Sequence, residues 1–498
     1  MSEFVANPIE VEFEQKICSA VKVALDAIEA HRNSGGLFMD EFDWLELQYW
    51  QNGMPWFTKS NSAPPNYASP FYWVPPDSGM SEANDGRAVD PTDASPEFAL
   101  LERLITENDF LRERILPAGK WDPGADGTLP KIVTFSARYA ARKIASRYVH
   151  LYHSTRFDAT QFKAVFDSYK RGVFAEKLPV DICIPILFVR FSFDEVRIDE
   201  KIKISRMDDE FQLARGSQRS YGVGSHELVM GCATHMLVLE SWEVSNGNHF
   251  NLFQRFASRD YYPLDHIDRF FAALRATSAI PTGYCQLLLR PVGWADQWKA
   301  GLPTYLYGAT TRAYPGVFED FYWTRPTLPE LSVSDAATCG SAFRRLLEAT
   351  ENSLSIGVRR LNLCYCRDDE EDSLIDATIA LEALLSDGEH QEMTHKLALR
   401  VAAVSQLYPG QLKSGQQIFD EVKKVYTARS RIIHGKTRKI PGSRAMSATR
   451  TPISDAPEIA REHLRTVLRV LVEYPQYRKP RAIDELLLRA IGSRVAQS

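Results

Sequence analysis

The chain has 498 residues, 44% hydrophobic and 25% charged, which excludes a disordered polypeptide and exceeds the length of one ordinary domain. Its formal net charge of −5 excludes a chain-wide attraction to nucleic acid, so any RNA site must be a local basic patch. No apolar run approaches the ~18 residues that span a bilayer, the first fifteen residues carry no signal-peptide pattern, and the seven cysteines are odd in number and scattered. A soluble cytoplasmic protein with reduced cysteines and no membrane partner is the expectation.

In chain order, a helical pattern covers Val11–Ala30, and a stretch rich in Pro, Gly and aromatics follows from Trp44 to Pro96. Helical periodicity returns over Glu97–Ile115 and Phe135–Tyr152. Trp44, Trp50, Trp56, Phe57, Phe71, Tyr72 and Trp73 are expected to pack a loop-rich subdomain, since large aromatics mainly supply buried area. The alternative for them is a recognition platform. From about 176 the pattern turns to strands: Val180–Phe191 is nearly continuously apolar, Val196–Ile204 alternates, and His226–Leu239 and Gln286–Leu289 read as extended. Beyond 331 the chain is helical, over Ala342–Leu363, Asp372–Leu385, Glu392–Leu407, Gln417–Ile433, Pro457–Val472 and Arg481–Ile491. The expected fold class is therefore multidomain α+β. It comprises a mixed helical and loop-rich N-terminal region (1–175), a β-rich middle unit of mostly antiparallel strands with a sensor or regulatory role (176–330), and an all-α bundle (331–498).

The segment Tyr426-Thr-Ala-Arg429-Ser-Arg-Ile-Ile-His434-Gly435-Lys436 carries the chemistry. On a helix five positions advance about 7.5 Å and turn about 140°, so Arg429 must curl back to approach His434. His434 falls in the last turn with Gly435 as a natural stop, where unsatisfied carbonyls favour a positive ring. An imidazole there can act as general base and acid, and a guanidinium beside it can hold phosphate oxygens. Lys436, Arg438, Lys439, Arg444 and Arg450 then precede the first acid, Asp455, as a cationic loop suited to phosphate contacts. The spacing is not unique: Arg147…His153, Arg219…His226 and Arg259…His266 match it as well. Those lie on a Tyr-rich apolar helix, across a turn, and across Pro263, which argues against a helix there. From the residues alone, plain helix capping and a solvated loop stand beside the catalytic reading.

Four ordered segments carry a resemblance. They are Ile356-Gly-Val-Arg359-Arg-Leu, Glu371-Asp-Ser-Leu-Ile-Asp376-Ala-Thr-Ile-Ala-Leu-Glu382-Ala-Leu-Leu385, Lys396-Leu-Ala-Leu-Arg400-Val-Ala and Val425 through Lys436. Together they resemble the HEPN superfamily, specifically the Apea-like HEPN domains, over residues 340–475. The resemblance implies a helical bundle that dimerises, placing two Arg-x4–6-His motifs in one cleft. It implies a metal-independent endoribonuclease that leaves cyclic phosphate ends, needs no cofactor and serves bacterial antiphage or toxin-type defence. Arg429 and His434 would then be catalytic, and Lys436, Arg438, Lys439 and Arg431 would contact RNA. Asp376 and Glu382 would hold basic residues such as Arg400 or Arg429 in place. Ser430 departs from the Asn, Asp or His commoner after the arginine.

Asp368-Asp-Glu-Glu-Asp372 is expected to mark a helix N-terminus, and His390 and His395 lack the further ligands a metal needs. The implied partners are an RNA substrate, a second copy of the chain and a phage-derived trigger. Two other functions stand beside the nuclease: a non-catalytic module that binds RNA or protein and dimerises, and a target for a nucleotidyltransferase partner. The latter expects a tyrosine shortly after the histidine, where this chain has Gly435-Lys436-Thr437.

Overall fold

The computed structural model describes residues 7–33, 44–60, 95–117, 128–217, 226–298, 302–387, 393–434 and 455–495. It opens with α1 (Pro8–Asn33) and an antiparallel hairpin, β1 (Trp44–Tyr49) and β2 (Pro55–Ser60). Helices α2 (Pro96–Glu107), α3 (Asp109–Ile115), α4 (Thr128–Tyr152) and α5 (Ala159–Phe174) follow. The five helices share one core that includes Phe13, Leu101, Tyr148 and Phe166. The pattern expected over Glu97–Ile115 is two helices, because the Asn108 side chain caps a fresh start by accepting from Leu111 N. Helix α5 is absent from the expectations above, although Phe162, Val165, Phe166, Tyr169 and Val173 repeat at helical spacing behind the Asp158 cap.

Among the described residues, the hairpin packs mainly against the middle region of the chain. It turns at Asn52-Gly53, with Gly53 at φ 82°, in the left-handed region that glycine adopts freely. Asn52 Nδ2 donates to the carbonyls of Trp323 (2.9 Å) and Arg325 (2.8 Å), and Met54 is buried in the middle unit. Trp50 stacks on Trp56 at 5.1 Å, and Phe57 lies against Gly216 and beneath the buried Arg215 guanidinium. Trp50, Trp56 and Phe57 thus pack; the Trp44 side chain and Phe71, Tyr72 and Trp73 lie outside what the structure describes.

The middle region contains β3 (Lys177–Pro185), β4 (Arg190–Phe191), β5 (Glu195–Asp199), β6 (Ile202–Arg206), α6 (Asp209–Gly216) and α7 (Glu227–Gly231). It continues with β7 (His235–Ser245), α8 (His249–Phe256), α9 (Leu264–Ser278), β8 (Tyr284–Pro291), β9 (Tyr307–Ala313) and β10 (Glu330–Leu331). Six strands form an antiparallel sheet in the order β5-β6-β7-β3-β8-β9, while β4 and β10 pair in parallel. Alternation sorts its side chains: Ile182, Ile184, Leu237, Leu239, Leu287 and Leu289 enter one core, and Cys183, Met236, Val238, Cys285 and Leu288 enter another. Burial on both faces explains why β3 reads as a nearly continuous apolar run, broken only by Asp181, which pairs with Arg290. One expectation is corrected here. His226–Leu239 is not one extended segment: the His226 side chain caps the short α7, and the strand begins only at His235. No helix joins Arg259 to His266, as Pro263 implies: Arg259 lies in a 3-10 turn, and α9 starts only after the proline.

The C-terminal helices are α10 (Val333–Glu348), α11 (Asn352–Cys366), α12 (Glu370–Leu385), α13 (Met393–Ser405), α14 (Gly415–Ile433), α15 (Ala456–Glu473) and α16 (Pro480–Val495). The helix expected over Ala342–Leu363 is broken. The buried Arg269 of α9 donates to the carbonyls of Leu346 and Ala349 (3.1 Å to the latter), which ends α10 without glycine or proline. The expected boundary at 331 does not divide the packing. Phe270 meets Phe343 edge-on at 5.7 Å, and one hydrophobic core runs from Leu178 in the sheet to Ile483 in α16. Among the described residues no helix is long and apolar enough to cross a membrane.

Candidate functional site

Helices α12 and α14 position the residues singled out above. α12 starts where the acidic run predicts: Asp369 Oδ1 accepts from Glu371 N (2.7 Å) and Asp372 N (3.3 Å), and three acids occupy its first turn. α14 begins with a capping box in which Ser414 and Gln417 exchange hydrogen bonds. Ile418, Val422, Val425 and Tyr426 seat its inner face, at helical spacing, against the bundle. This register carries Arg429, one turn beyond Val425 and Tyr426, to the flank of α12.

There Arg429 meets Glu382 in a two-pronged ion pair. Nη1 donates to Oε1 at 2.7 Å and Nη2 to Oε2 at 3.4 Å. The guanidinium also lies 5.8 Å from the Tyr426 ring centre, while Nε is buried without a hydrogen-bond partner among the described residues. Tyr426 donates to the Thr378 carbonyl at 3.5 Å, and burial, helped by the Glu382 charge, pushes its hydroxyl well above the ordinary tyrosine range. That phenol stays protonated and neutral beside the ion pair. His434 is the residue that closes α14, exposed, with its backbone N–H returning to the Ser430 carbonyl at 3.1 Å. Arg429 does not curl to the histidine as the helical geometry allows: among the described residues no hydrogen bond joins them, and the guanidinium points at Glu382. Ser430 and Arg431 are exposed. Lys436, Arg438, Lys439, Arg444, Arg450 and His390 lie outside the described residues.

The two acids of α12 do different things. Asp376, almost fully buried, pairs with Arg360 and with Arg367 (2.8 Å), so it braces α11 rather than Arg400 or Arg429. Arg400 is held elsewhere. Its Nε and Nη2 face Asp484 at 2.9 and 2.7 Å, Nη2 also faces Asp387 at 2.7 Å, and Nη1 donates to the Leu385 carbonyl at 2.8 Å. It therefore ties the end of α12 to α16. The ring of His395 packs edge-on to Phe419. Cys364 is buried and donates weakly to the Ser373 carbonyl. Among the described residues no group of three or more His, Cys, Asp or Glu is placed to hold a metal ion.

Chemically, the end of α14 offers an oriented cation with unused N–H groups and an accessible imidazole five residues later, with the basic segment next in the chain. Sequence reasoning missed an arginine-lined cleft around Arg312, Arg367 and Arg461, whose members are too far apart in the chain for any local pattern to reveal. In comparisons with known proteins, the chain matches no family model, no curated protein and no solved structure.

Proposed function

We propose that the chain is a metal-independent endoribonuclease of the HEPN type, acting as the effector of a bacterial antiphage or toxin-type defence system. In this reading His434 removes the proton from a ribose 2′-hydroxyl, whose oxygen attacks the adjacent phosphorus. The 5′-oxygen leaves with a proton delivered by an imidazolium, giving a 2′,3′-cyclic phosphate and a 5′-hydroxyl. Arg429 holds the phosphoryl oxygens and stabilises their growing charge. A second copy of the chain would supply the partner imidazole, so that one acts as base and the other as acid. The observation that carries the proposal is the Arg429–Glu382 pair: it fixes a guanidinium at the helix end from which His434 projects.

The test is incubation of the purified chain with total RNA in the presence of a chelator, comparing wild type, Arg429→Ala and His434→Ala. The expected result is cleavage to cyclic-phosphate ends, reduced at least about 100-fold in both variants, through loss of acid–base catalysis in His434→Ala and of charge stabilisation in Arg429→Ala. The proposal fails if no RNA is cut with any phage extract added and all three proteins act alike in phage-challenged cells. A second reading is favoured by the same ion pair: a guanidinium already neutralised by Glu382 can simply brace the bundle. The chain would then be a non-catalytic HEPN module that dimerises or binds RNA, and His434→Ala would leave its function intact.

A further inference from the structure

A cleft of about 560 Å³ opens where the middle region meets the helical bundle. One wall is the chain from Arg312, at the end of β9, to Asp320. The other is the turn between α11 and α12, with Arg461 of α15 beside it. Its size is that of a small-molecule site, which typically encloses about 300–1,000 Å³.

Three guanidinia line it, each steadied by acids yet not used up. Arg312 donates from Nε to Glu319 (2.8 Å) and from Nη2 to Asp368 (2.6 Å). Arg367 gives only Nε, to Asp376 at 2.8 Å. Arg461 gives only Nη1, to Glu370 (2.9 Å) and the Ser373 hydroxyl (3.0 Å). The remaining N–H groups of all three have no acceptor among the described residues. Arginines held from behind by carboxylates are oriented in advance for an oxyanion.

Asp368 shows where that oxyanion would sit. Its carboxylate reaches across the cleft to Arg312 and rests on Gly316, where any Cβ would overlap its Oδ1. Glycine and arginine thus form a seat for an acidic group, filled here by a side chain that is 67% exposed. An ion pair whose carboxylate is this exposed is weak, so a multiply charged ligand can displace it. The lining is not simply basic, however. Glu319, Asp320, Asp368 and Glu370 outnumber the three arginines, which disfavours a bare anion. The exposed Asp320 has no side-chain partner among the described residues and can accept from a hydrogen-bond donor. Tyr365 adds an aromatic surface to the same cleft.

We propose that this cleft binds a purine nucleotide. Its phosphates take the place of Asp368 on Arg312 and reach Arg367 and Arg461, and its base lies by Tyr365 with an amino edge towards Asp320. The test is calorimetric titration of the full chain with GTP, ATP and inorganic pyrophosphate. At least one nucleotide should bind with a Kd below about 1 mM, and pyrophosphate at least about tenfold more weakly. Arg461→Gln and Arg312→Gln should each weaken the nucleotide at least about tenfold, whereas Asp368→Asn should tighten it by removing the internal competitor. A gain of affinity cannot come from misfolding, so Asp368→Asn protects the test against damaged variants. The proposal is overturned if neither nucleotide binds, if pyrophosphate binds as well as the nucleotides, or if Asp368→Asn leaves the affinity unchanged. Titration does not read RNA cleavage, so its failure leaves the nuclease reading untouched.

Discussion

Replacing Glu382 with glutamine removes the anion that both Nη groups of Arg429 face. The geometry is one strong charge-assisted bond, at 2.7 Å, and one weak one, at 3.4 Å. The side chains are 25% and 21% exposed, so solvent screens the pair only in part. Hydrogen bonds to charged groups net about 1.5–3 kcal/mol and exposed ion pairs about 0.2–1 kcal/mol; this pair belongs between them, near 1.5 kcal/mol. That value should appear as the coupling term in a double-mutant cycle of Glu382→Gln and Arg429→Gln, read from pulse-proteolysis resistance of the bundle across a urea series. Under the nuclease reading, Glu382→Gln should also lower the cleavage rate about tenfold, because a loose guanidinium no longer meets the phosphate in place. A coupling below about 0.5 kcal/mol would refute the claim that the pair fixes Arg429.

His463 of α15 is buried, with Nε2 2.9 Å from Glu421, and burial pulls its pKa below the ordinary 6.5 against the raising pull of Glu421 and Glu462. A base depressed in the folded state binds more protons when unfolded, so stability should fall as pH drops below about 6.5 and level off above it. Because burial also lowers His235, the check is the difference between melting profiles of wild type and His463→Gln, which should have the shallower acid limb. Gly283→Ala would drive a Cβ into the backbone of Ala313 and Tyr314, beyond relief by any rotamer. It should cost about 3 kcal/mol or more, seen as a large fall in melting temperature. Gly316→Ala meets only the side-chain ends of Asp368 and Arg312 and should shift melting little. Asn52→Ala removes the hydrogen bonds to the Trp323 and Arg325 carbonyls and the one Asn52 Oδ1 accepts from Met54 N, and should loosen the β1–β2 hairpin by about 2 kcal/mol, read by faster amide exchange confined to it.

Where one face of an element is buried and the other wet, its sequence is readable. α14 has its apolar stripe and its Ser414–Gln417 box, and the acids after Asp368 announce α12. The middle region resists the same reading because its elements are enclosed on several sides. α9 buries Arg269 and Arg275 along with its phenylalanines, which blurs the stripe despite Ile267, Phe270, Phe271 and Leu274 recurring at helical spacing. The break between α10 and α11 depends on a guanidinium arriving from 77 residues away, which no window over 342–363 contains. At the candidate site the Arg–His spacing recurs at three other pairs, so the helical context and the resemblance single out Arg429 and His434, and the resemblance gives the α12 acids holding roles. Which acid holds which arginine follows from helix packing: Glu382 faces α14, while Asp376, six residues earlier, faces α11. The turn at Asn52-Gly53 is a legible hairpin signal, hidden among aromatics that draw attention to recognition.

The continuous core from the sheet to α16 has a calorimetric consequence. The helices from α1 to α5 close around apolar residues of their own, joined by Ala295 and Trp298 from the middle region. Heat should therefore melt the molecule in two steps, one for those five helices and one in which sheet and bundle give way together. No temperature should leave a folded bundle beside a molten sheet. A chimera joined at residue 331 would unite mismatched halves of one core and should fold poorly, whereas one joined outside that core should not.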